Sequence, residues 1–234
     1  MSVLRTLPRA FFDPPAERVA RALLGALLVR VLPEGTVVAR LVEVEAYVGP
    51  GDRASHAYGG RRTPRNESMY LAGGHAYVYR IYGIHRCLNV VTGPAEEGIA
   101  VLLRGAEIVS GEGIVRARRS GETVAARLLA GPGNLCRGLG VDMELDGHPL
   151  DRAPLRLAAG EPVDDAEVVC GPRVGCDSAG EAAAWPLRLA VRAARGVSYP
   201  RATLMPWVSG SRASGDRHGA ASRPRSARRA DSSS

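Results

Sequence analysis

The hydrophobic positions change period early in the chain. Val19, Leu23 and Leu24 fall at helical spacing behind Pro14 and Pro15, which predicts a helix over 14–25. A strand over 26–31 and a turn at Pro33-Glu34-Gly35 follow. From Val37 to Tyr47 the period becomes two: Val38, Val42, Val44 and Ala46 form an apolar face interrupted by Arg40. Glu43, Glu45 and Tyr47 therefore share the face that the core does not need. Further on, 48–66 is a long loop rich in Gly, Pro and Arg, a length that suits function or disorder. Residues 75–82 and 87–91 read as strands joined through Tyr82-Gly83-Ile84-His85, a hairpin. Residues 99–108 and 186–192 are strand-like and 171–180 loop-like. The stretches 125–130 and 135–139 read as helices separated by Gly131-Pro132-Gly133. No internal repeat interrupts this order.

At 234 residues and 45% hydrophobic content the chain can bury a sizeable core. The apolar run 22–29, bounded by Arg21 and Arg30, is far shorter than the ~20 residues needed to span a bilayer. The start of the chain carries no signal-cleavage pattern, so a cytoplasmic protein is expected. Cys87, Cys136, Cys170 and Cys176 form no C-x-x-C pair, and His56, His75 and His85 fit no compact ligand set. Neither a metal nor a cofactor is expected.

The net charge of +7 changes the picture through its placement. Between Arg53 and Arg86, Arg53, Arg61, Arg62, Arg65, Arg80 and Arg86 face Glu67 alone. The remaining excess lies in 209–234, a basic Arg/Ser-rich stretch without apolar anchors, expected to be a disordered tail behind a domain spanning 1–208. Tyr47, Tyr58, Tyr70, Tyr77, Tyr79 and Tyr82 interleave with the same arginines. Aromatic rings stack on unpaired bases for ~1–3 kcal/mol each, and arginines neutralise phosphates. All 31 basic residues are arginine. Without lysine, and apart from the N-terminal amine, the chain lacks the nucleophile for Schiff-base chemistry at a sugar.

Several blocks occur in a fixed order: Glu45-Ala46-Tyr47, Gly59-Gly60-Arg61-Arg62-Thr63-Pro64-Arg65-Asn66, Tyr77-Val78-Tyr79-Arg80-Ile81-Tyr82-Gly83, Leu103-Arg104-Gly105 and Gly171-Pro172-Arg173-Val174-Gly175. Together they resemble the alkyladenine (3-methyladenine) DNA glycosylase family from about Leu7 to Val208. The resemblance implies that Glu45 is the general base and that Arg104 lies beside the catalytic water and the DNA backbone. It implies that Tyr47, His56 and Tyr79 hold a flipped base, that Asn89 restricts which purines enter, and that Tyr82 is the wedge filling the gap in the stack. Arg61 and Thr63 match a DNA-facing loop. Asn134 stands where the family pattern has a lysine facing phosphate.

The chemistry of the residues agrees. A base inside a duplex hides its glycosidic carbon, so the nucleotide must be extruded, which needs a wedge, a stacking pocket and phosphate clamps. Loss of the base leaves an oxocarbenium-like sugar that a carboxylate can stabilise while orienting water. The expectation is a single α+β domain with a curved, largely antiparallel sheet, flanking helices and a protruding hairpin. Its partner is double-stranded DNA containing damaged purines, met as a monomer, with no membrane involved. A non-catalytic nucleic-acid-binding module on the same scaffold is the alternative, and Glu45 discriminates against it. A nucleoside or carbohydrate hydrolase would use Glu45 but leave the arginine-rich loop and the wedge without a purpose.

Overall fold

Alternating β-branched residues build β1 (Leu27–Leu32) and β2 (Gly35–Tyr47), an antiparallel pair closed by a two-residue turn. The computed structural model describes residues 4–207; the expected tail at 209–234 lies outside the described residues. The strands that follow are β3 (Ala76–Ile81), β4 (His85–Val91), β5 (Ala100–Ser110), β6 (Asp151–Arg152), β7 (Leu155–Ala158), β8 (Val168–Gly171), β9 (Arg188–Val191) and β10 (Met205–Pro206). All ten belong to one curved antiparallel sheet, with helices packed against it, in an α+β fold.

β2 organises the sheet. Along one edge it pairs β5 from Val38 to Tyr47. Its other edge is shared: β1 pairs 35–40, and β9 replaces it at 43–45. The sheet forks there, and its other branch runs through β5 and β4 to β3. The register of β2 against β5 slips between Leu41 and Glu43 and again between Glu43 and Val44, so Arg104 stands outside the regular Cα pairing. Such irregularities bend a strand and re-aim a side chain.

Strand alternation then sorts the residues. Val42, Val44, Ala46, Val78, Leu88, Val90, Val101 and Leu103 join the main core with Leu23, Leu24 and Leu135. The opposite face carries Glu43, Glu45, Tyr77, Tyr79, Asn89 and Arg104. Both carboxylates lie off the apolar core face, as the period of two requires, yet neither is solvated: Glu43 and Glu45 are each 0% exposed. The sequence pattern could not show that the chain after β8 returns to cover this face. A smaller cluster of Ala57, Met69, Tyr70, Tyr77, Val91 and Ala100 anchors the long loop.

The helices differ in detail from expectation. α1 (Ala16–Leu23) is shorter than 14–25, because Leu24 is extended and Gly25 takes φ +88°. α2 (Glu112–Arg118) was not foreseen. Residues 125–127 form only a 3-10 turn. α3 (Pro132–Gly138) begins within the expected breaker, since proline is favoured in the first helical turn. β7 and β8 were also unforeseen; they are too short to establish a periodicity. The loop-like reading of 171–180 holds for 172–176, between Gly171, which ends β8, and a 3-10 segment that starts at Asp177. The hairpin connection is shorter than read: β3 stops at Ile81, one residue early, and pairs there with His85, where β4 begins two residues early. Tyr82 and Gly83 both have positive φ, 51° and 71°, and the Ile84 N–H donates to the Ile81 carbonyl. Positive φ at both central positions matches the twist of a two-stranded ribbon.

Candidate active site

Glu45 projects between β5 and the chain that follows β8. Its Oε1 accepts the Val174 N–H at 2.8 Å and lies 3.3 Å from Arg104 Nη1. Its Oε2 accepts the Tyr47 hydroxyl at 2.9 Å. Burial pushes the carboxyl above the usual carboxylate range; the neighbouring Glu43 charge adds to this, while Arg104, the Val174 N–H and the Tyr47 hydroxyl pull the other way. Burial, then the Glu45 charge, raises the Tyr47 phenol, so it remains a protonated donor.

Tyr47, Arg104 and Val174 form part of the wall of a cavity of about 180 Å³. Glu45 sits immediately behind them. The other walls come from alternate positions of the sheet, Tyr77, Tyr79, Cys87, Asn89 and Leu102, and from His56, Met69 and Cys176. His56 Nδ1 pairs with the Tyr77 hydroxyl at 2.6 Å, and its ring meets Tyr79 edge-on at 4.6 Å. Burial, with Arg65 and Arg61 nearby, holds the His56 imidazole below its ordinary pKa and neutral at pH 7. Asn89 is buried and donates its amide to the Tyr77 carbonyl at 3.0 Å, which fixes its reach into the cavity.

Tyr47 has a backing that the sequence did not advertise. The buried guanidinium of Arg173 lies 4.7 Å from its ring centroid, paired with Asp52 and bonded to the Ala46 carbonyl at 3.0 Å. Arg173 stood in a recognisable block, but only the fold places it behind Tyr47.

The rim is basic and exposed. A second cavity of about 240 Å³ shares His56 and Tyr77 with the first and is lined by Arg53, Arg61, Thr63, Arg65 and Asn66. Asn66 orders this loop: its Oδ1 accepts the Thr63 N–H at 2.7 Å and hydroxyl at 2.9 Å, and its amide donates to the carbonyls of His56 and Arg61. Arg61 is exposed. Tyr82 is 86% exposed at the hairpin tip, with Ile84 beside it at 68%. Asn134, inside α3, donates its side-chain amide to the Ala130 carbonyl at 2.7 Å, four residues back. Among the described residues no cluster of His, Cys, Asp or Glu is arranged to hold a metal ion, and no helix is long and apolar enough to cross a membrane.

A buried carboxylate of raised proton affinity, beside a cavity with aromatic walls and an arginine rim, fits a hydrolase that acts on a nucleic-acid base. Residues 10–195 match the methylpurine-DNA glycosylase family, and the chain belongs to it, among the hydrolases of DNA base excision repair. A Bacillus licheniformis protein named for 3-methyladenine DNA glycosylase activity is 44% identical over 193 residues, covering 82% of this chain and 96% of that protein. A Streptomyces avermitilis protein named in the same way is 44% identical over 182 residues, 76% and 85% of the two chains. The DNA-3-methyladenine glycosylase of Homo sapiens is 41% identical over 223 residues, 88% of this chain and 68% of the human protein.

Proposed function

We propose that this enzyme flips alkylated or deaminated purines out of duplex DNA and hydrolyses the N-glycosidic bond, with Glu45 as general base. The observation that carries the reading is the Glu45 carboxylate, wholly buried and of raised proton affinity, set directly behind an aromatic cavity. A water held between Glu45 and the sugar gives its proton to the carboxylate as its oxygen bonds the anomeric carbon; the purine leaves with the electrons of the broken bond. Arg104 keeps the carboxylate ionised and oriented. Tyr47, His56 and Tyr79 stack on the flipped base, and Asn89 crowds the exocyclic amino group of undamaged guanine.

Tyr82, held out on the hairpin, enters the minor groove and fills the vacated stack. Arg61, Thr63 and the neighbouring arginines follow the DNA backbone, and 1–208 acts as one catalytic domain with 209–234 as an added basic tail. The enzyme works as a monomer on nucleoid DNA in the cytoplasm. With arginine as its only basic side chain apart from histidine, it leaves an intact abasic strand. The test is single-turnover excision by Glu45→Gln on duplexes carrying hypoxanthine, ethenoadenine or 7-methylguanine. Binding should persist while excision is lost; excision within a few-fold of the parent enzyme would remove Glu45 from the chemistry. Borohydride trapping during turnover should yield no covalent protein–DNA adduct.

A further inference from the structure

We propose that Glu43, Arg188 and Ser198 form a positioning cluster that aims the Arg104 guanidinium at Glu45; this rests on Glu45 being the base. The three nitrogens of Arg104 point at three different partners. Nε donates to Glu43 Oε1 at 3.1 Å, Nη2 to Ser198 Oγ at 3.1 Å, and Nη1 is left facing Glu45. A planar fork held at two corners has only one direction for the third.

Glu43 is built for this task. It accepts Arg188 Nε at 2.7 Å, the Ser198 N–H at 2.7 Å and the Ser198 hydroxyl at 2.9 Å, besides Arg104. Arg188, itself 0% exposed, also donates to the carbonyls of Ser198 at 2.9 Å and Pro200 at 2.6 Å. It thereby neutralises Glu43 and ties down the segment that carries Ser198. Two glycines let that segment lie against β5. A Cβ on Gly105 would come within 2.4 Å of the Gly196 carbonyl and 3.1 Å of Glu43 Oε2, and one on Gly196 within 2.6 Å of the Ala106 carbonyl.

A cluster serving the fold alone would change stability when broken and leave the pH profile of excision in place; one that aims Arg104 at Glu45 would move that profile. Glu45 is faced by Arg104 from β5, by Glu43 and Tyr47 from its own strand, by Tyr79 and Cys87 from β3 and β4, and by Cys176 after β8. Burial raises all four of these phenols and thiols, so near neutral pH the charges acting on Glu45 are those of Arg104 and Glu43. Removing the Glu43 charge leaves one carboxylate against two guanidiniums and makes Glu45 harder to protonate.

The experiment measures single-turnover excision of hypoxanthine from a duplex against pH for the parent enzyme, Glu43→Gln, Ser198→Ala and Glu45→Gln, with melting temperature and DNA binding for each. Glu43→Gln should lower the plateau rate about tenfold as Arg104 loses its aim, while the lost charge and the weakened Arg104 contact act on the acidic limb in opposite directions. Ser198→Ala, which keeps both charges but frees one corner of the fork, should lower the plateau several-fold and move the acidic limb up as the pull of Arg104 on Glu45 weakens. A folded Glu43→Gln with an unchanged plateau, or a folded Ser198→Ala whose limb and plateau both stay put, overturns the proposal, even if stability falls. Should Glu43→Gln not fold, an unchanged plateau in Ser198→Ala overturns it and a lowered one supports it. Excision retained by Glu45→Gln would instead defeat the assignment of the base, a separate outcome.

Discussion

The two ends of a three-residue stretch of β2 make opposite uses of the same side chain. Glu43 and Glu45 lie two positions apart, on one face, each fully buried. Glu43 has two guanidiniums and both donors of Ser198 within hydrogen-bond distance. Glu45 has one guanidinium at 3.3 Å, one backbone N–H and one phenol, and burial outweighs them. A carboxylate whose burial is fully compensated holds structure together. One whose burial is only partly compensated retains affinity for a proton, which is what a general base needs. Neighbouring positions on one strand thus separate stability from chemistry.

The largest expected effect tests the Glu45 side of this contrast. Glu45→Gln should slow single-turnover excision by about 10²–10⁴-fold with lesion binding retained. In the parent enzyme the rate should rise with pH through the raised Glu45 value, so the acidic limb lies above the ~4.3 of an ordinary glutamate. A limb at or below that value would contradict the incomplete compensation seen around Glu45. The stability sign follows from linkage. A carboxyl whose folded pKa is raised contributes stability that is present below about pH 4.3 and lost as pH rises through the folded value. At neutral pH Glu45→Gln should therefore melt no lower than the parent, the amide donating to Tyr47 where the carboxylate accepted.

The Glu43 side should behave in the opposite sense. Glu43→Gln leaves two buried guanidiniums short of a counter-charge and turns an N–H towards the Ser198 N–H, for a loss of about 3 kcal/mol by chemical denaturation. Equal stability of the two glutamine variants would erase the distinction between the sites. Gly105→Ala sharpens it by geometry. Its Cβ meets backbone of 196 and the Glu43 carboxylate, so a loss of about 1–3 kcal/mol is expected from overpacking. Excision should fall alongside, and a fully active, fully stable variant would show that 196–198 need not lie against β5.

The smallest effect concerns the exposed rim. Tyr82 occupies left-handed backbone at φ 51°, which a β-carbon resists. Tyr82→Gly should raise stability by up to about 1 kcal/mol while weakening base flipping, read by a base analogue that fluoresces when unstacked. Unchanged fluorescence would remove the wedge role; lower stability would show that the side chain supports the hairpin.

Local periodicity determined a good deal. The alternation of 37–47 placed Val42, Val44 and Ala46 in the core and Glu43, Glu45 and Tyr47 on the other face, because successive strand residues point to opposite sides whatever the rest of the chain does. The spacing of the tyrosine strands likewise implied the Tyr82 hairpin, and the order of the sequence blocks was enough to point to the family. What the tertiary structure alone decided is the condition of that second face. Its burial depends on β9 replacing β1 along the edge of β2, and on a segment near Ser198 that reaches Glu43 from 155 residues away in sequence. The same long-range return brings Val174 to Glu45 and Arg173 to Tyr47. Proton affinity depends on which charges and dipoles surround a group and on how much water is excluded, and those are properties of the folded neighbourhood rather than of neighbours in the chain.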